Sequence, residues 1–458
     1  MKRVEAEFRE PSRTPREAVG RGGFPGIGDV RDEARRREEG RVVEPRGLAD
    51  FPGAVGDFPA RIARGDADFA RVVAALFFGG FSTFALLYSV QPLMPIFTRV
   101  FQVSPAVSSL SLSATTGVLA VSMIAAGSLS EVVGRKPIMV ASLAAAAAAT
   151  MLAALARDWT QLLALRALTG LALSGLPAVA MAYLSDEMDG KAIGLAMGLY
   201  IAGSSLGGLA GRLATAILAD LWDWRAGFAA MGAIGLASAG LLYFALPDSR
   251  RFVAGRPDPR ALLASLAGQF ADPGLRLLYL LAFLLMGGFV CVYNYIGFRL
   301  LAPPFSLSQT TIGFVFVLYL AGTASSAVMG DLAGRFGRRR VLWIGVAMIL
   351  AGLAATLPDN LPAIILGVAL ITTGFFGAHS IASSWVGLRA ETARAQASAL
   401  YLFFYYLGSS VAGSTGGLFW ARGGWPGLAA MVGGLGLAAL AIAWRLARVP
   451  PPRHLAER

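Results

Sequence analysis

The sequence predicts an all-α membrane protein whose twelve transmembrane helices form two six-helix pseudo-repeats. Three observations predict it. The 458 residues are 56% hydrophobic and only 15% charged, and a water-facing exterior would need far more charge to cover that apolar surface. From Arg71 onward, apolar segments follow one another, each long enough to cross about 30 Å of hydrocarbon as a helix. Finally, motifs recur at nearly one offset. Gly127–Lys136 returns as Gly330–Arg339 after 203 residues, Thr169-Gly170 as Thr373-Gly374 after 204, and Gly203-Ser204-Ser205 as Gly408-Ser409-Ser410 after 205. Such spacing argues for a parallel duplication of six helices.

Residues 1–70 balance 14 basic against 14 acidic side chains, with little apolar periodicity. They are expected to form a disordered cytoplasmic tail, with no apolar core of signal-peptide type. The expected spans of the N-terminal bundle (71–247) are 72–97, 107–129, 137–156, 160–184, 194–218 and 225–246. Residues 248–275, with Arg250, Arg251, Arg256, Pro257 and Pro259, read as a cytoplasmic linker. The C-terminal bundle (276–446) is expected to span at 276–299, 309–331, 340–357, 361–386, 396–420 and 425–446, leaving 447–458 as a cytoplasmic tail.

The net charge of +12 falls wholly after residue 70, in the short gaps between apolar runs. With both termini cytoplasmic, that side receives nineteen Lys or Arg, and the other receives five: Arg99, Arg157, Arg225, Arg299 and Arg422. Arg166 and Arg212 fall within helices. The excess is a topology signal rather than a nucleic-acid footprint. The lone Cys291 excludes an intrachain disulfide. No phosphate-binding loop, nucleophile–base set or cluster of metal ligands stands out, so an ATP-driven pump or a membrane enzyme is not expected. A monomer in the lipid bilayer with a small-molecule substrate is expected, without cofactor or metal.

Several side-chain groups carry chemistry. Gly127, Glu131, Gly134, Arg135 and Lys136 follow the second helix; glycine permits a tight turn, and the carboxylate and cations are suited to pairs that exist in one of two global states. The second copy offers Gly330, Asp331, Arg335, Gly337 and Arg338, with Gly334 in the carboxylate position, so a weaker latch is expected. Arg166 heads a row with Gly170 and Ser174. A buried arginine in a bilayer marks a cavity, a partner or a proton path, or else snorkels or forms a structural pair near the outer membrane edge. In helix five, Gly203, Gly207 and Gly211, with Ser204 and Gly208, form a stripe for close helix packing.

Substrate contacts are expected from Tyr88 and Gln91 before Pro92 and Pro95, from Tyr293-Asn294-Tyr295, and from Thr372, His379 and Ser383 on one face of helix ten. Tyr401 and Tyr405 in helix eleven complete that set. His379 is the membrane region's one histidine, and no Asp or Glu lies deep in the expected helices. It has three readings: proton coupling, substrate contact, or a neutral structural hydrogen bond.

Over residues 71–446 the chain resembles the major facilitator superfamily, through the loop pattern G-x-x-x-[DE]-x-x-G-R-[KR] at Gly127–Lys136. The resemblance implies that this cluster latches the cytoplasmic side when the carrier faces outward. It also implies that helices one, four, seven and ten line the cavity, and that Arg166 heads a motif linked to proton coupling. Gly203–Gly208 resembles the antiporter motif G-P-x-x-G-G, with Ser204 replacing the proline. Tyr88–Pro95, Asn294–Gly297, His379–Trp385 and Tyr405–Ser410 resemble YnfM-type bacterial carriers, similar to drug and sugar efflux permeases. The implied function is secondary active transport of a small organic solute across the inner membrane by alternating access, with proton-coupled efflux leading. The alternatives are uptake of a sugar-like metabolite by symport or facilitation, and a non-transporting sensor.

Overall fold

A computed structural model describes residues 60–252, 258–391 and 393–450. The expectations for residues 1–59, for Arg256 and Pro257 and for the last eight residues lie outside the described residues. Among the described residues, ten helices are long and apolar enough to cross a bilayer. The first six are α1 (Ala67–Val100), α2 (Pro105–Val133), α3 (Arg135–Ala153), α4 (Trp159–Glu187), α5 (Ile193–Leu221) and α6 (Trp224–Ala245). A linker helix, Pro259–Gly268, leads to α7 (Pro273–Leu301), α8 (Gln309–Phe336), α9 (Arg338–Ala355) and α10 (Leu361–Arg389). α9 is not among the ten, because three arginines open an otherwise apolar helix.

The final helix, Arg394–Arg448, has 55 residues. A rod of that length would reach about 80 Å, far beyond a bilayer. It breaks at Gly423 and Gly424, whose φ/ψ values of −140°/18° and 53°/−143° are not helical. α11 is therefore residues 394–422 and α12 residues 425–448. The described residues hold twelve spans.

Local chemistry sets the ends. Ser104, Asp158, Asp223, Asp272, Ser308 and Asn360 each accept a backbone N–H from the first turn of the helix they precede. Pro177 offers no N–H to the carbonyl of Leu173, and α4 bends there, at Ser174. The first helix starts at Ala67 rather than at 72. Just before it, Ile62 donates to the Glu187 carbonyl at 2.8 Å and accepts from the Asp189 N–H at 3.1 Å. Residues 60–70, expected to belong to the tail, are thus tied to the bundle by main-chain pairing.

α5 lies along α1. A Cβ at Gly203 or Gly207 would collide with the carbonyl of Phe77 or Phe81, and one at Gly211 would come 2.6 Å from Ala85 Cα. The stripe thus matches a four-residue row on α1 and brings the two backbones into contact. In the second half, Gly408 meets the Phe283 carbonyl, and a Cβ at Gly287 would come 2.8 Å from that of Ala412. α11 lies along α7 in the same way.

The halves touch mainly toward the helix ends remote from Gly134 and Gly337. Gln91 donates to Asn294 at 2.8 Å, Arg212 to the Tyr319 hydroxyl at 3.1 Å and Ser410 to the Ser113 carbonyl at 2.8 Å. Thr310 donates through its hydroxyl and N–H to Asp220 at 2.6 and 3.2 Å, and Gln309 donates to the Pro92 carbonyl. At the end carrying Gly134 and Gly337, the final segment of α4 packs on α1, α2, α3 and α5. α10 packs on α7, α8, α9 and the last two helices. Their main packing partners lie within their own halves.

Gly207→Ala is expected to cost roughly 1–3 kcal/mol through overpacking and to lower the melting temperature in detergent. Gly198→Ala, on the same helix with open space at its Cβ, should leave it unchanged or raise it.

Candidate functional site

The site begins with a break. Pro92 has no N–H to return to the Tyr88 carbonyl, so α1 leaves the α-helix after Tyr88 and resumes at Met94. The freed carbonyls of Leu86 and Leu87 accept from Arg166 Nη1 and Nη2 at 3.1 and 2.8 Å, while Nε donates to the Ser111 carbonyl at 3.0 Å. The guanidinium is fully buried, with the Phe228 ring 5.9 Å away. It caps the first segment of α1, where unpaired carbonyls and the helix dipole gather negative charge. All three acceptors are main-chain oxygens of its own half, so the side chain joins α1, α2 and α4.

Past the break stands a second arginine that the sequence analysis left without a role. Arg212 on α5 donates from Nε to Gln91 Oε1 at 2.6 Å, from Nη1 to the Gly208 carbonyl at 2.6 Å and from Nη2 to Tyr319. Its guanidinium lies 4.0 Å from the ring centroid of Tyr88, 4.5 Å from Tyr319 and 5.2 Å from Phe316. Of the expected substrate residues, Tyr88, Gln91 and Asn294 therefore gather here, along the line between the halves. The signal that would have found Arg212 is the one applied to Arg166: an arginine inside an apolar span is functional or paired. Tyr319 and Phe316 carried no such mark.

A second group forms on α10 and α11. His379 Nδ1 lies 3.0 Å from the Tyr401 hydroxyl, which also lies 3.4 Å from the His379 carbonyl. The imidazole sits 4.8 Å from the Tyr405 ring and stacks on Phe375 at 5.8 Å. His379 and Tyr405 are half-buried. Tyr293 shares a 2.7 Å bond with Thr372, joining α7 to α10. Two expected contacts lie elsewhere. Tyr295 donates to the Gly413 carbonyl at 3.2 Å and stacks on Trp420, packing α7 on α11. The Ser383 hydroxyl turns back to the Ser380 carbonyl of its own helix.

At the loop end, Gly134 and Gly337 have φ of +105° and +87°, values that favour glycine. Each is the whole link between two helices. Glu131 is exposed and makes no ion pair among the described residues. Arg135 instead meets Asp186 at 3.4 Å and the Ser130 hydroxyl at 2.7 Å, while Lys136 meets Asp248 at 3.3 Å. In the second copy, Asp331 meets Arg335 at 2.9 Å along its own helix, and Arg338 is exposed. Gly127 and Gly330 face open space. Asp186 and Asp248, at the ends of α4 and α6, were not visible as partners because sequence distance hides them. In the packing stripe, Ser204 bonds to the Tyr200 carbonyl at 3.0 Å, and α5 runs as one unbroken helix where the antiporter motif would place proline.

The sequence profile of the Major Facilitator Superfamily matches residues 76–299 and again 278–458. The chain belongs to this superfamily. It is 45% identical over 387 residues to the inner membrane transport protein YnfM of Escherichia coli strain K12, across 84% of this chain and 93% of that one. It is 44% identical over 387 residues to the MFS-type transporter YybF of Bacillus subtilis strain 168, across 84% and 96%. Two solved structures share its fold. A bacterial homolog of the human lysosomal transporter Spinster, inward-facing and unoccupied, has a TM-score of 0.71 at 15% identity, covering 84% of this chain and 98% of that one. The nucleoside transporter NupG has a TM-score of 0.67 at 14% identity, covering 82% and 99%. The protein is thus a multi-pass membrane transporter that works by alternating access, and not an enzyme.

Arg166→Gln takes the guanidinium from the Leu86, Leu87 and Ser111 carbonyls, of which Leu86 keeps the Ser89 hydroxyl and Ser111 the Thr115 hydroxyl, and is expected to lower unfolding stability by about 1–3 kcal/mol. Arg166→Lys should fall between the two, because one ammonium cannot reproduce the planar fork. Melting curves in detergent, read against the temperature of the unaltered protein, check both.

Proposed function

We propose that this carrier exports a small organic solute across a bacterial inner membrane, driven by the proton gradient and without a cofactor. It acts as a monomer with both termini in the cytoplasm. Orientation follows from the charge count: nineteen Lys or Arg on the side of the Gly134 and Gly337 turns against five opposite. An exposed Glu131 without an ion pair among the described residues is what an inward-open state would have, since the latch belongs to the outward-facing one.

The observation that carries the coupling is the His379–Tyr401 pair. With neutral imidazole, Nδ1 accepts from the Tyr401 hydroxyl at 3.0 Å. A proton on Nδ1 reverses that bond: the hydroxyl becomes the acceptor, and its own proton turns toward another oxygen, with the His379 carbonyl 3.4 Å away. Protonation therefore re-sets a contact between α10 and α11. A second reading, uptake or facilitated diffusion, is favoured by the unbroken α5 with Ser204 in the proline position.

In proteoliposomes, an imposed pH gradient is expected to drive solute accumulation by the unaltered carrier. His379→Gln should remove that response and keep solute-for-solute exchange; equal flux with and without the gradient would remove the coupling. Impermeant thiol labelling checks orientation, since Cys291 is buried and silent. Cysteine placed at Lys136 or Arg338 should label from the cytoplasmic face only.

A further inference from the structure

Arg212 differs from the other buried arginines in what satisfies it. Arg166 is held by main-chain carbonyls. Arg299 and Arg389 have carboxylates, Asp359 and Asp272, at 2.9 and 2.6 Å. Arg212 is 1% exposed and makes no ion pair among the described residues. Two of its three acceptors are neutral side chains, Gln91 and Tyr319, one from each half. A cation held in hydrocarbon without an anion is costly and points to a substrate path.

The amides beside it follow from its charge. Gln91 must turn its oxygen to the guanidinium, so its nitrogen faces Asn294 and the Asn294 oxygen must accept. Asn294 Nδ2 is then left buried with no acceptor, and so is the hydroxyl of Ser113. Both flank Gly413, where a Cβ would come 3.2 Å from Nδ2 and 3.5 Å from Ser113 Oγ. Arg212 itself keeps two of its five N–H groups free. Arg212, Asn294 and Ser113 thus offer spare donors from both halves, beside one unmet acceptor, Gln309 Oε1.

We propose that Arg212, with Asn294 and Ser113, receives a carboxylate, and that the transported solute is an organic anion with an apolar or aromatic body. The Tyr88, Phe316 and Tyr319 rings beside the guanidinium suit such a body. Gln91 and Tyr319 hold the cation's place while the carrier is empty. A carboxylate that takes their place removes the Arg212–Tyr319 bond between the halves, so binding favours separation at the closed end. The solute class rests on the transport reading above, but not on its direction or its coupling.

The test uses the full chain in detergent and in proteoliposomes. Acetate, the smallest carboxylate, is expected to raise the melting temperature relative to chloride at equal ionic strength, and Arg212→Gln should abolish the difference. Benzoate and phenylacetate should bind about ten- to a hundredfold more tightly than benzamide or benzylamine, and Arg212→Gln should erase that preference. If Arg212→Gln does not fold, Asn294→Asp serves instead: it places an anion among the donors and should lower benzoate affinity by a similar factor. No acetate-against-chloride difference in the unaltered protein overturns the site. So does benzamide or benzylamine binding as tightly as benzoate, or carboxylate preference surviving in a folded variant. Benzoate that binds through Arg212 but is never exchanged across the liposome membrane keeps the site and removes the transport reading instead.

Discussion

Pro92 brings no N–H to the middle of an apolar bundle, and the carbonyls it releases have no water to turn to. In hydrocarbon each unmet main-chain group costs several kcal/mol, and at this break Arg166 reaches across from α4 to the Leu86 and Leu87 carbonyls, with the Ser89 hydroxyl also on Leu86. One residue thereby ties α1, α2 and α4 together. The same break frees Gln91 from helical register, so that it faces α5 and α7 at once. The rest of the central polar network, from Arg212 through Gln91 to Asn294, depends on that placement.

The two ends of the bundle are held by different chemistry. Remote from the Gly134 and Gly337 turns, side-chain bonds cross between the halves, from Gln91, Arg212, Gln309, Thr310 and Ser410. At the opposite end, the pairs Arg135–Asp186, Lys136–Asp248 and Asp272–Arg389 each brace one half. Within the halves, backbone contacts at Gly207 and Gly408 join α5 to α1 and α11 to α7. Stiff bodies joined by exchangeable polar bonds are what a rocking carrier requires.

Much of this was legible in the sequence because it was local or repeated. Apolar length marked the spans, the offsets near 203 marked the duplication, and the spacing of Gly203, Gly207 and Gly211 marked a close helix contact. Proline at 92 announced a distorted α1. Other features depend on residues far apart in the chain. Asp186 as the partner of Arg135 needs the end of α4 to return beside α2. Tyr295 points away from Asn294 because adjacent helical residues diverge by about 100°. Arg212 was visible but passed over among the glycines, since its partners Tyr319 and Phe316 belong to the other half.

The links at Gly134 and Gly337 have a mechanical consequence. α2 ends at Val133 and α3 starts at Arg135; α8 ends at Phe336 and α9 starts at Arg338. A connection of one residue has no slack, so a tilt of either helix passes at once to its neighbour as torsion at the glycine. Because both copies keep this joint, the two halves carry matching pivots, one at Gly134 and one at Gly337.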